Sequence, residues 1–183
     1  MMVHPPIVYW DANAFLALIN ADKSPEEMLG VTCVWTAAEK GQTKIVTSTL
    51  TIAEVIYQKG VGKLDKVHRP KINNFFRQAF IVLRPVTRQI AEMARDVVWD
   101  NSIKPKDAVH IATAAFNRIG WLHTFDNGII ASSGLFVDGF SIQCLKPIWH
   151  PQAELDLKAT GSPMAPQRAG NGADHAPGGS IAS

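Results

Sequence analysis

Residues 7–10 read Ile-Val-Tyr-Trp, an unbroken apolar run, and further short strand-like segments recur at 45–47, 80–83, 121–125 and 141–145. A strand with one wet face alternates apolar and polar residues, whereas a strand covered on both faces reads as a nearly continuous apolar run. Runs this short, set apart by longer segments, predict a central sheet packed between helices.

The intervening segments carry helix signals. Ser24-Pro25-Glu26-Glu27 combines an N-cap serine, a proline suited to the first turn and a capping-box glutamate; the helix it opens should run to about Lys40, with Gly41 as its stop. Further helices are expected over 50–58, over 71–78, after the cap Thr87, and over 106–118. In the Thr87 helix, Ile90, Ala91, Ala94, Val97 and Val98 form an apolar stripe opposite Glu92, Arg95 and Asp96. The 106–118 helix is apolar on most sides and so central, and Asp126-Asn127-Gly128 reads as a turn. Strands alternating with helices imply a mainly parallel sheet. The expected class is α/β, a three-layer α/β/α domain over residues 1–149.

Beyond it the composition changes. Residues 150–183 hold five Gly, four Pro, seven Ala and three Ser and no Phe, Trp or Tyr, too little apolar surface to offset the entropy of ordering, so a disordered tail is expected there. The whole chain is 46% hydrophobic over 183 residues, enough for one domain with a sizeable core. Mean hydropathy is +0.02, and no run approaches the ~20 apolar residues of a membrane span. The N-terminus lacks a basic leader and Asp11 interrupts its apolar stretch, which argues against a secretory signal. Cys33 and Cys144 make neither a disulfide framework nor a zinc-spaced cluster. A cytoplasmic protein without a membrane partner is expected. The net charge of +2 neither demands nor excludes a nucleic-acid partner.

Most of the sixteen acidic residues lie in polar surroundings, but four adjoin core-like segments. Asp11 follows the run 7–10, Glu54 is enclosed by Thr51-Ile52-Ala53 and Val55-Ile56-Tyr57, Asp107 begins the apolar helix 108–116, and Asp126 ends the strand 121–125. Desolvating an unpaired carboxylate costs roughly several kcal/mol, so each needs a compensating partner. Asp11 and Asp126 fall at the carboxyl ends of parallel strands, the edge where open α/β sheets place their ligands. Helix starts such as that of Asp107 share this edge, and Glu54 joins if its helix face turns toward it. Four acids in one pocket repel and raise one another's pKa values unless a cation binds; Mg²⁺ or Mn²⁺ takes such oxygen ligands. Each aspartate also has a local use: Asp11 as a cap for a helix starting near Asn13, Asp107 at a helix N-terminus with Lys104 or Lys106 as partner, Asp126 in a turn. Glu54 in the middle of an apolar helix has none.

The segments IVYWDANAFLAL around Asp11, STLTIAEVIY around Glu54, KPKDAVHIATAAF around Asp107 and LHTFDNGI around Asp126 resemble, in order and spacing, the four acidic signatures of PIN-domain ribonucleases. The chain is most similar to VapC-type toxins of VapBC toxin–antitoxin modules, over about residues 6–146. The resemblance implies a PIN-like α/β/α fold, Mg²⁺- or Mn²⁺-dependent cleavage of RNA, a homodimer, and an antitoxin protein that occludes the acidic pocket. It further implies that Asp11, Glu54, Asp107 and Asp126 are the catalytic, metal-binding acids, with Asn13 and Thr124 in supporting positions.

Metal-assisted hydrolysis needs no cysteine or histidine nucleophile, which suits a chain whose histidines are scattered. His110, one turn after Asp107, and Lys104 and Lys106 beside it are candidate RNA contacts. Lys59, Lys63, Lys66, Arg69 and Lys71 form a run able either to guide an RNA backbone or simply to solvate a helix face. Trp10, Trp35, Trp99 and Trp121 are expected in the core. The alternative function is a non-catalytic PIN-like module that binds RNA or protein. A phosphoacceptor receiver is disfavoured because the strand 80–83 ends in Arg84-Pro85 rather than an aspartate, and a structure-specific DNA nuclease because no clamp segment is present.

Overall fold

Tyr9 and Trp10 are neighbours in sequence and both fully buried, yet they belong to different cores. Consecutive strand residues point to opposite faces, so β1 (Ile7–Trp10) sends Val8 and Trp10 into one helical layer and Tyr9 into the other. β2 (Lys44–Ser48) divides Ile45 and Val46 in the same way. One layer contains α1 (Ala12–Asn20), α2 (Pro25–Glu39) and α4 (Arg69–Phe75), which pack Phe15, Val31, Val34 and Phe75 against the sheet. The other contains α5 (Arg88–Asn101) and α6 (Pro105–Phe116), which contribute Ile90, Val97 and Ile111. The structure, a computed structural model, describes residues 7–58 and 60–149. The expected tail 150–183 lies outside the described residues, as does Lys59.

The main sheet has the order β5 (Ile81–Arg84), β2, β1, β6 (Trp121–His123), β8 (Phe140–Leu145), β7 (Leu135–Val137). Its first five strands are parallel, and β7 pairs antiparallel with β8 at the edge. This is the expected three-layer α/β/α architecture. Among the described residues, no helix is long and apolar enough to cross a membrane.

The capping signals are realised. The Ser24 hydroxyl accepts the Glu27 N–H at 3.3 Å while the Glu27 carboxylate accepts the Ser24 N–H at 3.1 Å. Gly41 takes φ +72° just beyond α2, and the Thr87 hydroxyl accepts the Ile90 N–H at the start of α5. Elsewhere the structure departs from expectation. The 50–58 helix is only α3 (Thr49–Glu54); the chain then turns into a two-stranded hairpin of β3 (Tyr57–Gln58) and β4 (Gly62–Lys63). Gly60 and Gly62, at φ +82° and +101°, make that reversal possible, and the β-branched and aromatic Val55-Ile56-Tyr57 suit a strand better than a helix end. Glu54 is therefore the last residue of a short helix rather than the middle of a long one. Asp126 opens a helical turn, α7 (Asn127–Ile130), in place of a simple turn. Trp99 is 72% exposed instead of buried, one helical turn past Arg95, whose guanidinium stacks over its ring at 4.8 Å.

Candidate active site

β1 and β6 run parallel side by side with Trp10 opposite His123, so the residues that follow them emerge together at the carboxyl edge of the sheet. Asp11 is 2% exposed. It caps α1 by accepting the Ala14 N–H on Oδ1 at 3.1 Å; on Oδ2 it accepts the Thr124 hydroxyl at 2.6 Å and the Asn13 amide at 3.3 Å. The Thr124 oxygen in turn accepts the Asp126 N–H at 2.9 Å, and Asp126 caps α7 through the Gly128 N–H at 2.7 Å. One buried hydroxyl thus ties the first acid to the backbone of the last.

Glu54 arrives from the other neighbour of β1. α3 leaves directly from β2, capped by Ser48, and its final residue meets α6. His110 Nε2 lies 2.7 Å from Glu54 Oε2, and Lys106 Nζ lies 3.2 Å from Oε1. Behind His110, its Nδ1 is 2.8 Å from the Tyr9 hydroxyl, whose oxygen accepts the Ser48 N–H at 3.1 Å. Asp107 is half-buried in the first turn of α6, one turn before His110.

Burial pushes the Asp11 carboxyl above the ordinary aspartate value, against the opposing pull of His110 and of its three hydrogen bonds. Asp107 is also raised, first by burial and next by the charge of Asp126, with Glu54 adding to the effect and His110 and Lys104 opposing it. Glu54 behaves differently. Burial raises its carboxyl too, but the hydrogen bonds and charges of His110 and Lys106 together outweigh that, and the net shift is downward. Asp107 therefore sits within electrostatic reach of both Asp126 and Glu54. Among the described residues, however, no three His, Cys, Asp or Glu side chains close on a common point as a metal-holding group. The donor set is all carboxylate oxygen at one sheet edge, the chemistry that suits a hard divalent ion retaining several waters.

Of the supporting residues, Asn13 and Thr124 both bond Asp11 as described. Lys104 is exposed at the cap of α6, near enough to lower Asp107. Lys106 is 72% exposed at its side chain although it pairs with Glu54. The candidate phosphate contact His110 is 3% exposed with both ring nitrogens engaged, so the structure places it behind Glu54 instead of at the surface. Within the basic run, Lys71 donates to the Leu18 carbonyl at 2.8 Å and so caps the end of α1. Tyr9 is the residue that sequence reasoning passed over: within an apolar strand it reads as core, and only the rule that a buried hydroxyl needs a partner points to it. Cys144 is no nucleophile, since burial pushes its thiol up to about 12.

Two solved structures share this architecture. The Mycobacterium tuberculosis toxin VapC20, described as cleaving the sarcin–ricin loop, aligns with a TM-score of 0.56 at 15% identity, covering 73% of this chain and 98% of that one. A toxin–antitoxin complex from Klebsiella pneumoniae aligns at 0.50 and 20% identity, covering 74% and 99%. Among curated proteins, none matches the sequence. The family model for the PIN domain matches residues 8–133, more than half of the chain and a span that includes all four acids. On this match the chain belongs to the PIN-domain family.

Proposed function

We propose that this chain is a Mg²⁺- or Mn²⁺-dependent endoribonuclease, the VapC-type toxin of a type II toxin–antitoxin pair, acting in the cytoplasm as a homodimer over a nuclease domain of residues 1–149. The observation that carries this reading is the link from Asp11 through Thr124 to Asp126 at one sheet edge, with Asp107 raised by burial and by the charges of Asp126 and Glu54, and with neither Asp11 nor Asp107 in an ion pair among the described residues. Such a cluster favours a divalent cation, with Asp11 and Asp107 as direct ligands and Glu54 and Asp126 direct or through water. A bound ion supplies charge neutralisation at phosphorus and a lower pKa for attacking water. The chain's own contribution is to hold the acids: Thr124 and Asn13 orient Asp11, and the caps of α1 and α7 immobilise Asp11 and Asp126. Lys104 and Lys106 stand exposed at the rim, where a substrate phosphate would meet them. The toxin reading takes support from the two structural neighbours, one described as a sarcin–ricin-loop-cleaving toxin and the other as a toxin–antitoxin complex, which argues for an antitoxin partner here.

The lack, among the described residues, of a closed three-donor group favours the second reading, a non-catalytic module that binds RNA or protein. One assay separates the two. Partner-free protein is expected to cleave RNA with Mg²⁺ or Mn²⁺ and not with EDTA, and Asp11→Asn or Asp107→Asn is expected to abolish cleavage. RNA left intact under every metal condition, by protein that still binds it, would select the module.

A further inference from the structure

The four acids are not equivalent. Among the described residues Glu54 is the one of the four that is ion-paired: Lys106 lies at Oε1 and His110 at Oε2, the latter at 2.7 Å in a buried layer. The Asp107 carboxylate, by contrast, makes no ion pair or hydrogen bond among the described residues. The directions of the bonds behind Glu54 are consistent with one another. A carboxylate accepts, so His110 donates from Nε2; in the neutral ring Nδ1 then accepts the Tyr9 O–H, and the Tyr9 oxygen accepts the Ser48 N–H. The chain of donors starts at the backbone of β2 and ends on Glu54, with no group left unmatched. To swing toward a metal, Glu54 would leave the buried His110 N–H without its acceptor, at a cost of roughly 1–3 kcal/mol.

Resting on the nuclease reading above, we infer that Glu54 is not a direct metal ligand but a braced outer carboxylate, and that His110, backed by Tyr9, is the positioning residue that holds it. The aspartates then carry the metal, and Glu54 works only if it is kept in place.

The test measures Mn²⁺ binding by calorimetry and RNA cleavage, on folded, partner-free protein. Asp107→Asn is expected to lose Mn²⁺ affinity by more than ~30-fold and Glu54→Gln by less than ~3-fold, although both lose cleavage. His110→Leu is expected to lower kcat by about 10–100-fold with KM and Mn²⁺ affinity little changed. His110→Gln, which returns an N–H donor toward Glu54, is expected to recover most of that loss, and Tyr9→Phe to fall in between. Should His110→Leu fail to fold, the Glu54→Gln isotherm decides alone. Mn²⁺ affinity lost by Glu54→Gln as fully as by Asp107→Asn would overturn the inference while leaving the nuclease reading intact. So would His110→Gln no better than His110→Leu. A wild-type chain that neither takes up Mn²⁺ nor cleaves RNA would remove the nuclease reading and this inference with it.

Discussion

Asp107 and Glu54 carry the same charge and meet it in opposite ways, and pH separates them. A carboxyl raised by folding holds its proton more tightly in the native state than in the unfolded one. It therefore costs stability once pH rises above its ordinary value, and the cost vanishes when both states are protonated. For Asp107 this means that Asp107→Asn should melt higher than wild type at neutral pH without divalent metal, the advantage shrinking as pH falls toward about 4, the ordinary carboxylate range. Thermal melts across pH check it; a melting temperature lowered by the substitution at neutral pH would contradict it. Glu54, held below its ordinary value, contributes stability at neutral pH that is lost as the solution becomes acid through its folded-state titration. Thr124 acts by geometry. Thr124→Val keeps shape but removes the donor to Asp11 and the acceptor for the Asp126 N–H, and should cost about 1–3 kcal/mol in chemical denaturation. At this scale the sequence singles the acids out as candidates, because a carboxylate beside an apolar run is expensive. It does not single out Tyr9, because an aromatic residue in a buried strand already has a sufficient reason to be there.

Among the elements, those announced by local chemistry were the legible ones. Ser24 and Glu27, Thr87 and Gly41 mark helix ends through hydrogen bonds made within a few residues, and those ends fell where expected. The stretch 50–58 failed because a short apolar run does not say whether it is helix or strand, and the hairpin is decided by the pairing of β3 with β4 across Gly60. The strand β7 was missed since its Leu135-Phe136-Val137 becomes a strand only by pairing with β8. Gly30 shows contact between elements overriding propensity. It lies within α2, where alanine is normally better by about 1 kcal/mol, but a Cβ there would collide with the Pro147 carbonyl oxygen. Gly30→Ala should accordingly destabilise by about 1–3 kcal/mol in urea unfolding, and a stabilised variant would show that the Pro147 carbonyl does not sit against this helix.

Across the whole molecule, the site is a product of parallel topology. Acids at 11, 54, 107 and 126 lie along one edge because β1, flanked by β2 and β6, delivers its successor to the same edge as theirs, and because α6 starts at that edge. The edge could be inferred from the alternation of strands and helices, but the division of labour within it could not, since the partners of Glu54 come from residues 9, 48, 106 and 110. If these acids form one cation-binding site, folding and metal binding are linked, and the native state gains about 2.7 kcal/mol at a free metal concentration 100 times its dissociation constant. In a domain of this size that corresponds to roughly 5–10 °C in melting temperature. The deciding measurement is the thermal denaturation of partner-free protein across an Mn²⁺ titration. A midpoint that climbs with Mn²⁺ in the wild type and stays flat in Asp11→Asn/Asp107→Asn is the expected result, and a wild-type midpoint indifferent to Mn²⁺ would contradict it.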